Sequence, residues 1–274
     1  MKKLQWICVL AVVVSFLSGC AEMNRPAAPS SSPVLDRILS RGELRVGMSG
    51  DMPPLNMTTK EDQIIGLDAD LAAMAADAMG VKLNIQKMQF SGLLAALEAG
   101  SIDMIISNMT MTPDRNLKVA FVGPYFISGK GLLTKSSVLS QTKSFKDIDN
   151  PNFTIVALKG STSEAVTKKG APLAKLVTVA TENEGVKTVI DGKADAMLAD
   201  HPICVVAAYR NQAAGLVPLS APITYEPIGI AVPKGDPLLV NWLQNFLNSI
   251  DKAGYMKGLG EKWFAKPTWV DQMK

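Results

Sequence analysis

The sequence is poor in the groups that carry most enzyme and metal chemistry. Its 274 residues hold one histidine, His201, which excludes a His-rich metal centre. Of its three cysteines, Cys8 and Cys20 fall at the extreme N-terminal end and Cys204 lies far from both. Charge of one sign is missing too: 28 Lys and Arg stand against 25 Asp and Glu, a balance that argues against nucleic acid as a partner. No Ser/His/Asp order, metal-ligand cluster or phosphate loop is present, so neither a cofactor nor a metal is expected.

The N-terminal end is a separate unit. Lys2 and Lys3 precede an apolar run from Leu4 to Leu17 that closes on Leu17-Ser18-Gly19-Cys20. That run falls short of the roughly 20 apolar residues a spanning helix needs, and small residues follow it, so residues 1–19 read as a removable secretory signal. Leu-Ser-Gly-Cys resembles a lipobox, which makes Cys20 the expected lipidation site and first mature residue. The 255 remaining residues carry 26 basic and 25 acidic side chains and are enough for two lobes of ordinary size. With Cys20 acylated, Cys204 has no intramolecular partner; its neighbours Ile203, Val205 and Val206 mark it as a buried thiol. Residues 20–39 read as lipidated cysteine and flexible linker, because Pro26, Pro29, Pro33 and a serine triplet offer little apolar surface to bury.

Beyond the linker, short strand-like runs alternate with helical patterns, which argues for an α/β protein with largely parallel sheets. Leu44 to Met48 reads as a first strand, Leu67 to Ala78 as a helix stopped by Gly80, Ser91 to Ala99 as a second helix and Asp103 to Ser107 as the strand after it. Residues 91–108 match 183–200 at a constant offset of 92, pairing Gly100 with Gly192, Asp103 with Asp195 and Asn108 with Asp200. Each copy is a helix, a Gly turn and an apolar strand ending on a polar residue. In open α/β sheets ligands sit beyond the carboxyl ends of strands, so Asn108 and Asp200 are expected to face one cleft. Extended runs at Phe126 to Lys135 and Pro222 to Lys234 would carry the chain across twice. The expected fold is therefore two-lobed, each lobe a mostly parallel sheet flanked by helices, with two crossing strands as hinge. Lobe 1 would comprise 40–130 and 227–274, lobe 2 residues 131–226.

Candidate binding residues collect after two strands. Arg115, in Thr112-Pro113-Asp114-Arg115, either offers a planar fork to a carboxylate or is a solvated residue in a capped first turn. Gly160-Ser161-Thr162 opens a helix whose N-terminal N–H groups favour an anion, and Ser161 with Glu164 can equally form a capping box.

Gly66-Leu67-Asp68-Ala69-Asp70-Leu71, Ser107 to Arg115, Phe121-Val122-Gly123-Pro124-Tyr125 and Leu158 to Thr162 resemble, in order, the motifs of the polar amino-acid family of periplasmic solute-binding proteins. Ala194-Asp195-Ala196 and Lys262-Trp263-Phe264 extend the likeness over roughly residues 40–265. The resemblance implies a periplasmic-binding-protein fold and capture of a small amino-acid-like solute for ABC permease subunits, by a monomer held at a membrane through its lipid. It implies that Arg115 and the N–H groups of Thr110 and Thr162 bind an α-carboxylate. Asp200, Thr110 and the Asn108 carbonyl would accept from an α-ammonium, with Ser107 and Ser161 lining the cleft. Met52, Leu55 and Leu67 stand where the family places aromatic walls, which points to a small or aliphatic ligand over a cationic one. Phe90 either partly replaces those walls or is a core residue opening the Ser91 helix, the reading its position favours. The alternatives are a sensor that presents its ligand to another protein and an exported enzyme resembling cyclohexadienyl dehydratases, for which Glu164 and Glu226 are the candidate carboxylates. Substituting Cys20→Ser is expected to release the protein from membranes or leave an unprocessed precursor; unchanged fractionation and mature mass would refute lipidation there.

Overall fold

The computed structural model describes residues 32–265 and 267–274; the expected signal segment, Cys20 and the tether up to residue 31 lie outside the described residues. The described chain opens with helix α1 (Pro33–Arg41) and strand β1 (Glu43–Met48). A small antiparallel ribbon follows, β2 (Asp51–Met52), β3 (Asn56–Thr58) and β4 (Ile64–Ile65). Helix α2 (Leu67–Met79), β5 (Lys82–Lys87), α3 (Leu93–Glu98), β6 (Met104–Ile105), the short α4 (Pro113–Asn116) and β7 (Val119–Ser128) complete the first passage through lobe 1.

Lobe 2 contains β8 (Lys130–Thr134), β9 (Thr154–Leu158), α5 (Thr162–Gly170), β10 (Lys175–Val179) and α6 (Glu182–Ile190). It ends with β11 (Ala196–Asp200), α7 (His201–Arg210) and β12 (Val217–Pro218). The chain returns to lobe 1 as β13 (Glu226–Pro233), α8 (Pro237–Lys252) and α9 (Tyr255–Gly260).

The two main sheets share one plan. Their strand orders are β5-β1-β6-β13-β7 and β10-β9-β11-β8-β12. In each, three parallel strands are followed by one reversed strand and an edge strand that runs with the first three, so the sheets are mixed. The two copies of the 92-residue repeat occupy equivalent places. Gly100 and Gly192 both turn with positive φ, +72° and +70°, a backbone that glycine adopts without strain. Asp103 then accepts from the Arg45 N–H at 2.9 Å in β1, and Asp195 from the Thr154 N–H at 2.7 Å in β9. One carboxylate per copy thus fastens the third strand of a sheet to its first.

The apolar patterns explain how the layers pack. In α8, Leu239, Leu243, Phe246, Leu247 and Ile250 are buried, a stripe at helical spacing that joins α1 and α2 in the core on one face of the first sheet. A second core runs through both lobes, with Met52, Phe90 and Leu93 from lobe 1 and Leu158, Val186 and Ile203 from lobe 2. The far face of the second sheet has its own smaller core around Leu132, Ile155 and Leu198.

The chain crosses between the sheets at Gly129 and again between β12 and β13. These crossings touch: a Cβ on Gly129 would lie 2.3 Å from the Thr224 carbonyl, closer than any side chain permits. The Lys130 N–H donates to the Thr224 hydroxyl at 2.8 Å, and the Ile223 N–H to the Lys130 carbonyl at 2.8 Å.

One sequence expectation is corrected. Residues 33–39 form α1 and are not part of a flexible linker. Pro33 occupies the first helical turn, where its missing N–H costs nothing, and Val34, Leu35 and Ile38 are buried. Asp236, more than 200 residues away, accepts from the N–H groups of Val34 (2.8 Å) and Leu35 (3.1 Å) and also from that of Leu239 (2.9 Å). A single carboxylate therefore caps both α1 and α8. At the other end Arg37 and Arg41 pair with Asp103. Burial alone would raise the Asp236 carboxyl, but the Ser32 hydroxyl and the three N–H donors outweigh it and hold the group below the usual range. Substituting Asp236→Ala is expected to cost about 1 to 2 kcal/mol through the lost α8 cap and to loosen α1. Trypsin cleavage after Arg37 or Arg41 should then precede global unfolding; wild-type resistance at both sites would show that Asp236 does not hold α1.

Candidate functional site

The repeat delivers its two terminal polar residues to one point. Asn108 follows β6 and Asp200 ends β11, and the Asn108 amide nitrogen donates to Asp200 Oδ2 at 2.7 Å across the gap between the lobes. Asn108 is held in left-handed backbone geometry, φ +48°, which asparagine tolerates better than most residues. Its N–H donates at 2.9 Å to Asp68 Oδ2, which also takes the Asn56 amide at 2.7 Å, while Tyr125 donates to Oδ1 at 2.8 Å. Asp68 sits fully buried at the start of α2 and so locks the strand end from behind.

Asp200 Oδ1 is taken by Lys130, the first residue of β8, in an ion pair between two side chains almost sealed from solvent. The same Nζ lies 3.5 Å from Glu226 Oε2. Glu226 accepts from the Thr162 hydroxyl at 3.2 Å and the Thr224 hydroxyl at 3.1 Å. Thr162 in turn lies 3.3 Å from Thr110, hydroxyl to hydroxyl, another contact between the lobes.

Arg115 projects into this gap and is not a solvated helix residue. Thr112 caps α4 by accepting from the Arg115 N–H at 3.2 Å, while the side chain, only 9% exposed, donates to the carbonyls of Thr110 at 2.8 Å and of Gly160 in lobe 2 at 3.1 Å. Its guanidinium lies 5.7 Å from the centre of the Phe90 ring, so Phe90 serves both the shared core and the cation. Burial pulls the Arg115 guanidinium down to about 10, against the raising effect of Glu226 and Asp200. Two neutral carbonyls do not compensate a buried cation as a carboxylate would.

The remaining expected site residues divide. Ser107 is buried and accepts from the Ser49 N–H at 2.9 Å; Ser161 caps α5 by accepting from the Glu164 N–H at 3.2 Å. The Glu164 carboxylate takes the Gly160 N–H and the ammonium of Lys168, so only half of the expected capping box forms. Met52 lies in the core shared by the lobes. Leu55 is fully buried with its carbonyl accepting from the Asp68 N–H at 2.8 Å. Leu67, the first residue of α2, packs into the separate core of lobe 1, away from the shared one. His201 lies within 3.0 Å of the Leu219 carbonyl through Nε2, which commits a ring nitrogen to backbone. Cys204 is a buried free thiol, raised by burial first and then by the charges of Glu182 and Asp200.

Three charged residues at the lobe contact escape sequence reading. Lys130 stands alone in the apolar, Gly-punctuated run Ile127 to Leu133, an anomaly that could have marked it. Asp51 in β2 and Glu182 at the start of α6 meet across the lobes, the Glu182 N–H donating to Asp51 Oδ2 at 2.9 Å. Beside them a cavity of about 530 Å³ opens between the lobes, lined by Ser49, Asp51 and Phe90 on one side and Thr181 and Asn183 on the other.

Two similar mixed sheets, two touching crossover segments and opposite buried charges at the strand ends define a two-lobed solute-binding protein. The chain belongs to the bacterial extracellular solute-binding proteins, family 3, whose family model matches residues 44–266. It is 42% identical to a solved binding component of an ABC transporter from Wolinella succinogenes complexed with lysine, over 84% of this chain and 99% of that one, with a TM-score of 0.80. A mutant of ArgBP from T. maritima superposes with the same TM-score of 0.80 at 33% identity, over 85% of this chain and all of the other. Among curated proteins, the cyclohexadienyl dehydratase of Pseudomonas aeruginosa is 24% identical over 92% of this chain and 93% of its own length.

Asp68 generates a pH prediction. Burial raises its carboxyl to about 6 in spite of the donors Tyr125, Asn56 and Asn108. A carboxyl raised in the folded state favours the fold while protonated, so stability should fall as pH rises from about 4 to 6 and level off above. A shift of this size corresponds to about 3 kcal/mol. Denaturant unfolding of wild type and Asp68→Asn across that window should show a slope difference of this order; parallel curves would refute the assignment.

Proposed function

We propose that the protein captures an amino acid between its lobes outside the cytoplasm and delivers it to an ABC importer. The observation that carries this reading is the buried Arg115 fork, satisfied only by carbonyls, in the same closed gap as the strand-end carboxylate Asp200. On ligand entry an α-carboxylate replaces the carbonyls at Arg115, assisted by the N–H groups of Thr110 and Thr162. The α-ammonium goes to Asp200, with Thr110 and the Asn108 carbonyl, and Ser107 and Ser161 line the space around them. Asp200 is already engaged by Lys130, so the incoming ammonium shifts Lys130 toward Glu226, whose carboxylate lies 3.5 Å away. Met52 and Leu55 flank the variable end of the ligand.

In this reading lobe 1 comprises 33–128 and 226–274, lobe 2 comprises 130–218, and a lipid on Cys20 keeps the monomer at a membrane. Similarity to a binding component of an ABC transporter supports delivery to permease subunits. A second reading draws on the dehydratase relative and on Glu226, a buried carboxylate inside the cleft with the chemistry of a general acid. Glu164 offers no such role, being tied to Gly160 and Lys168.

A thermal-shift screen of the twenty amino acids should find a ligand, with about 2.7 kcal/mol of stabilisation at 100 times its dissociation constant. Calorimetry with that ligand should show Arg115→Ala and Asp200→Asn each weakening binding about thirty-fold or more, the usual result of unpairing a desolvated charge. Binding within about three-fold of wild type, less than about 1 kcal/mol, would refute the pose. Turnover of prephenate or arogenate by the wild type would favour the dehydratase reading.

A further inference from the structure

Three buried acceptor atoms at the contact between the lobes have no hydrogen-bond partner: Asn108 Oδ1, Asp51 Oδ1 and Glu182 Oε2. Buried polar groups in native structures are satisfied in the great majority of cases, so three open acceptors in one interface call for a donor that the chain does not supply. Glu182 is 5% exposed, its N–H donates to Asp51, and the two residues line one small recess between the lobes. The neighbouring cations are committed or remote: Lys130 is bound to Asp200 and Glu226, Arg210 on the rim of the same recess donates to the Lys274 carbonyl, and Lys87 acts on Asp51 only through its field.

The charge balance points the same way. The lobe contact holds two buried cations, Arg115 and Lys130, and four carboxylates, those of Asp200, Glu226, Asp51 and Glu182. A zwitterionic amino acid leaves that excess of negative charge as it was, whereas a side-chain cation reduces it. Burial first and then the charges of Asp51 and Asp200 push the Glu182 carboxyl well up, and burial raises that of Asp51. The fields of Lys87 on Asp51 and of Lys130 on Glu182 offset this only in part.

We infer that Asp51 and Glu182, one from each lobe, form a subsite for the distal cation of a dibasic amino acid whose α-ammonium is on Asp200. This deepens the amino-acid reading above and rests on it. It departs from the expectation of an aliphatic ligand, which weighed missing aromatic walls and did not see that Glu182 folds across the cleft. The apolar contributions of Met52 and Phe90 then pack the methylene stem of such a ligand.

The test is calorimetry on the full mature protein with L-lysine, L-arginine, L-norleucine and L-glutamine. Wild type should bind lysine or arginine at least about thirty-fold more tightly than the uncharged pair. Glu182→Gln should bring the lysine-to-norleucine ratio to within about three-fold, and Asp51→Asn should lower it in the same direction from the other lobe. Should Glu182→Gln fail to fold, as judged by its unfolding midpoint, Asp51→Asn and the wild-type ratio decide. Repeating the lysine titration in buffers of different ionisation enthalpy should show proton release, since a bound cation pulls down carboxyls that burial pushes up. The charged and titratable groups around Glu182 are Asp51, Asp200, Lys130, Cys204 and Arg210, with Lys87 beyond Asp51. Equal affinity for neutral and dibasic ligands, or variants that weaken both alike, would overturn the subsite and leave the amino-acid reading standing. Failure of wild type to bind any amino acid would overturn that reading and the subsite with it.

Discussion

The polar architecture of the cleft depends on Asp200, a carboxylate sealed between two sheets with one oxygen on Lys130 and the other on Asn108. Moving two charges out of water costs several kcal/mol per ion, and their attraction repays this only where further hydrogen bonds complete the shell. Here Asn108 and Glu226 complete it, and each needs support of its own. Asn108 is braced by Asp68, and Glu226 by Thr162 and Thr224. The network therefore reaches from the back of α2, through the touching crossovers, to the N-terminus of α5. Its elements come from both lobes, so the interaction that organises the site also registers one lobe against the other.

This arrangement separates two kinds of buried charge. Lys130 and Asp200 are compensated where they stand. Arg115, by contrast, is surrounded by dipoles and an aromatic face, and Glu182 by a backbone contact and other acids. Groups of the first kind position; those of the second kind hold free energy that only a ligand of opposite charge can release. The lobe contact has one of these that seeks an anion and two that seek a cation.

The two-lobed α/β fold is legible in the sequence because its signals are local or periodic: the helical stripes, the Gly turns and the 92-residue offset. The strand-end residues Asn108 and Asp200 are legible for the same reason, since each closes an apolar run. Arg115 is half legible, as Thr112 and Pro113 announce a capped turn but not which way the side chain points. What stays hidden depends on partners remote in sequence. Glu182, in Thr181-Glu182-Asn183-Glu184, reads as an ordinary acidic first turn until Asp51 is folded against it from 131 positions away. Pro33 reads as part of a tether until Asp236 caps the helix it begins.

The direct contacts between the lobes, Asn108 with Asp200 and Arg115 with the Gly160 carbonyl, give the closed shape a foothold without cargo. Any partner that reads closure alone would then meet a false signal, an empty protein in the loaded shape. Population of that state also lowers apparent affinity in proportion, because a ligand enters only the open fraction. The unpartnered acceptors act against it: closing over nothing buries Asp51, Glu182 and Asn108 oxygens with no donor, while closing over cargo satisfies them. The same atoms that select a ligand thereby set the fidelity with which shape reports occupancy.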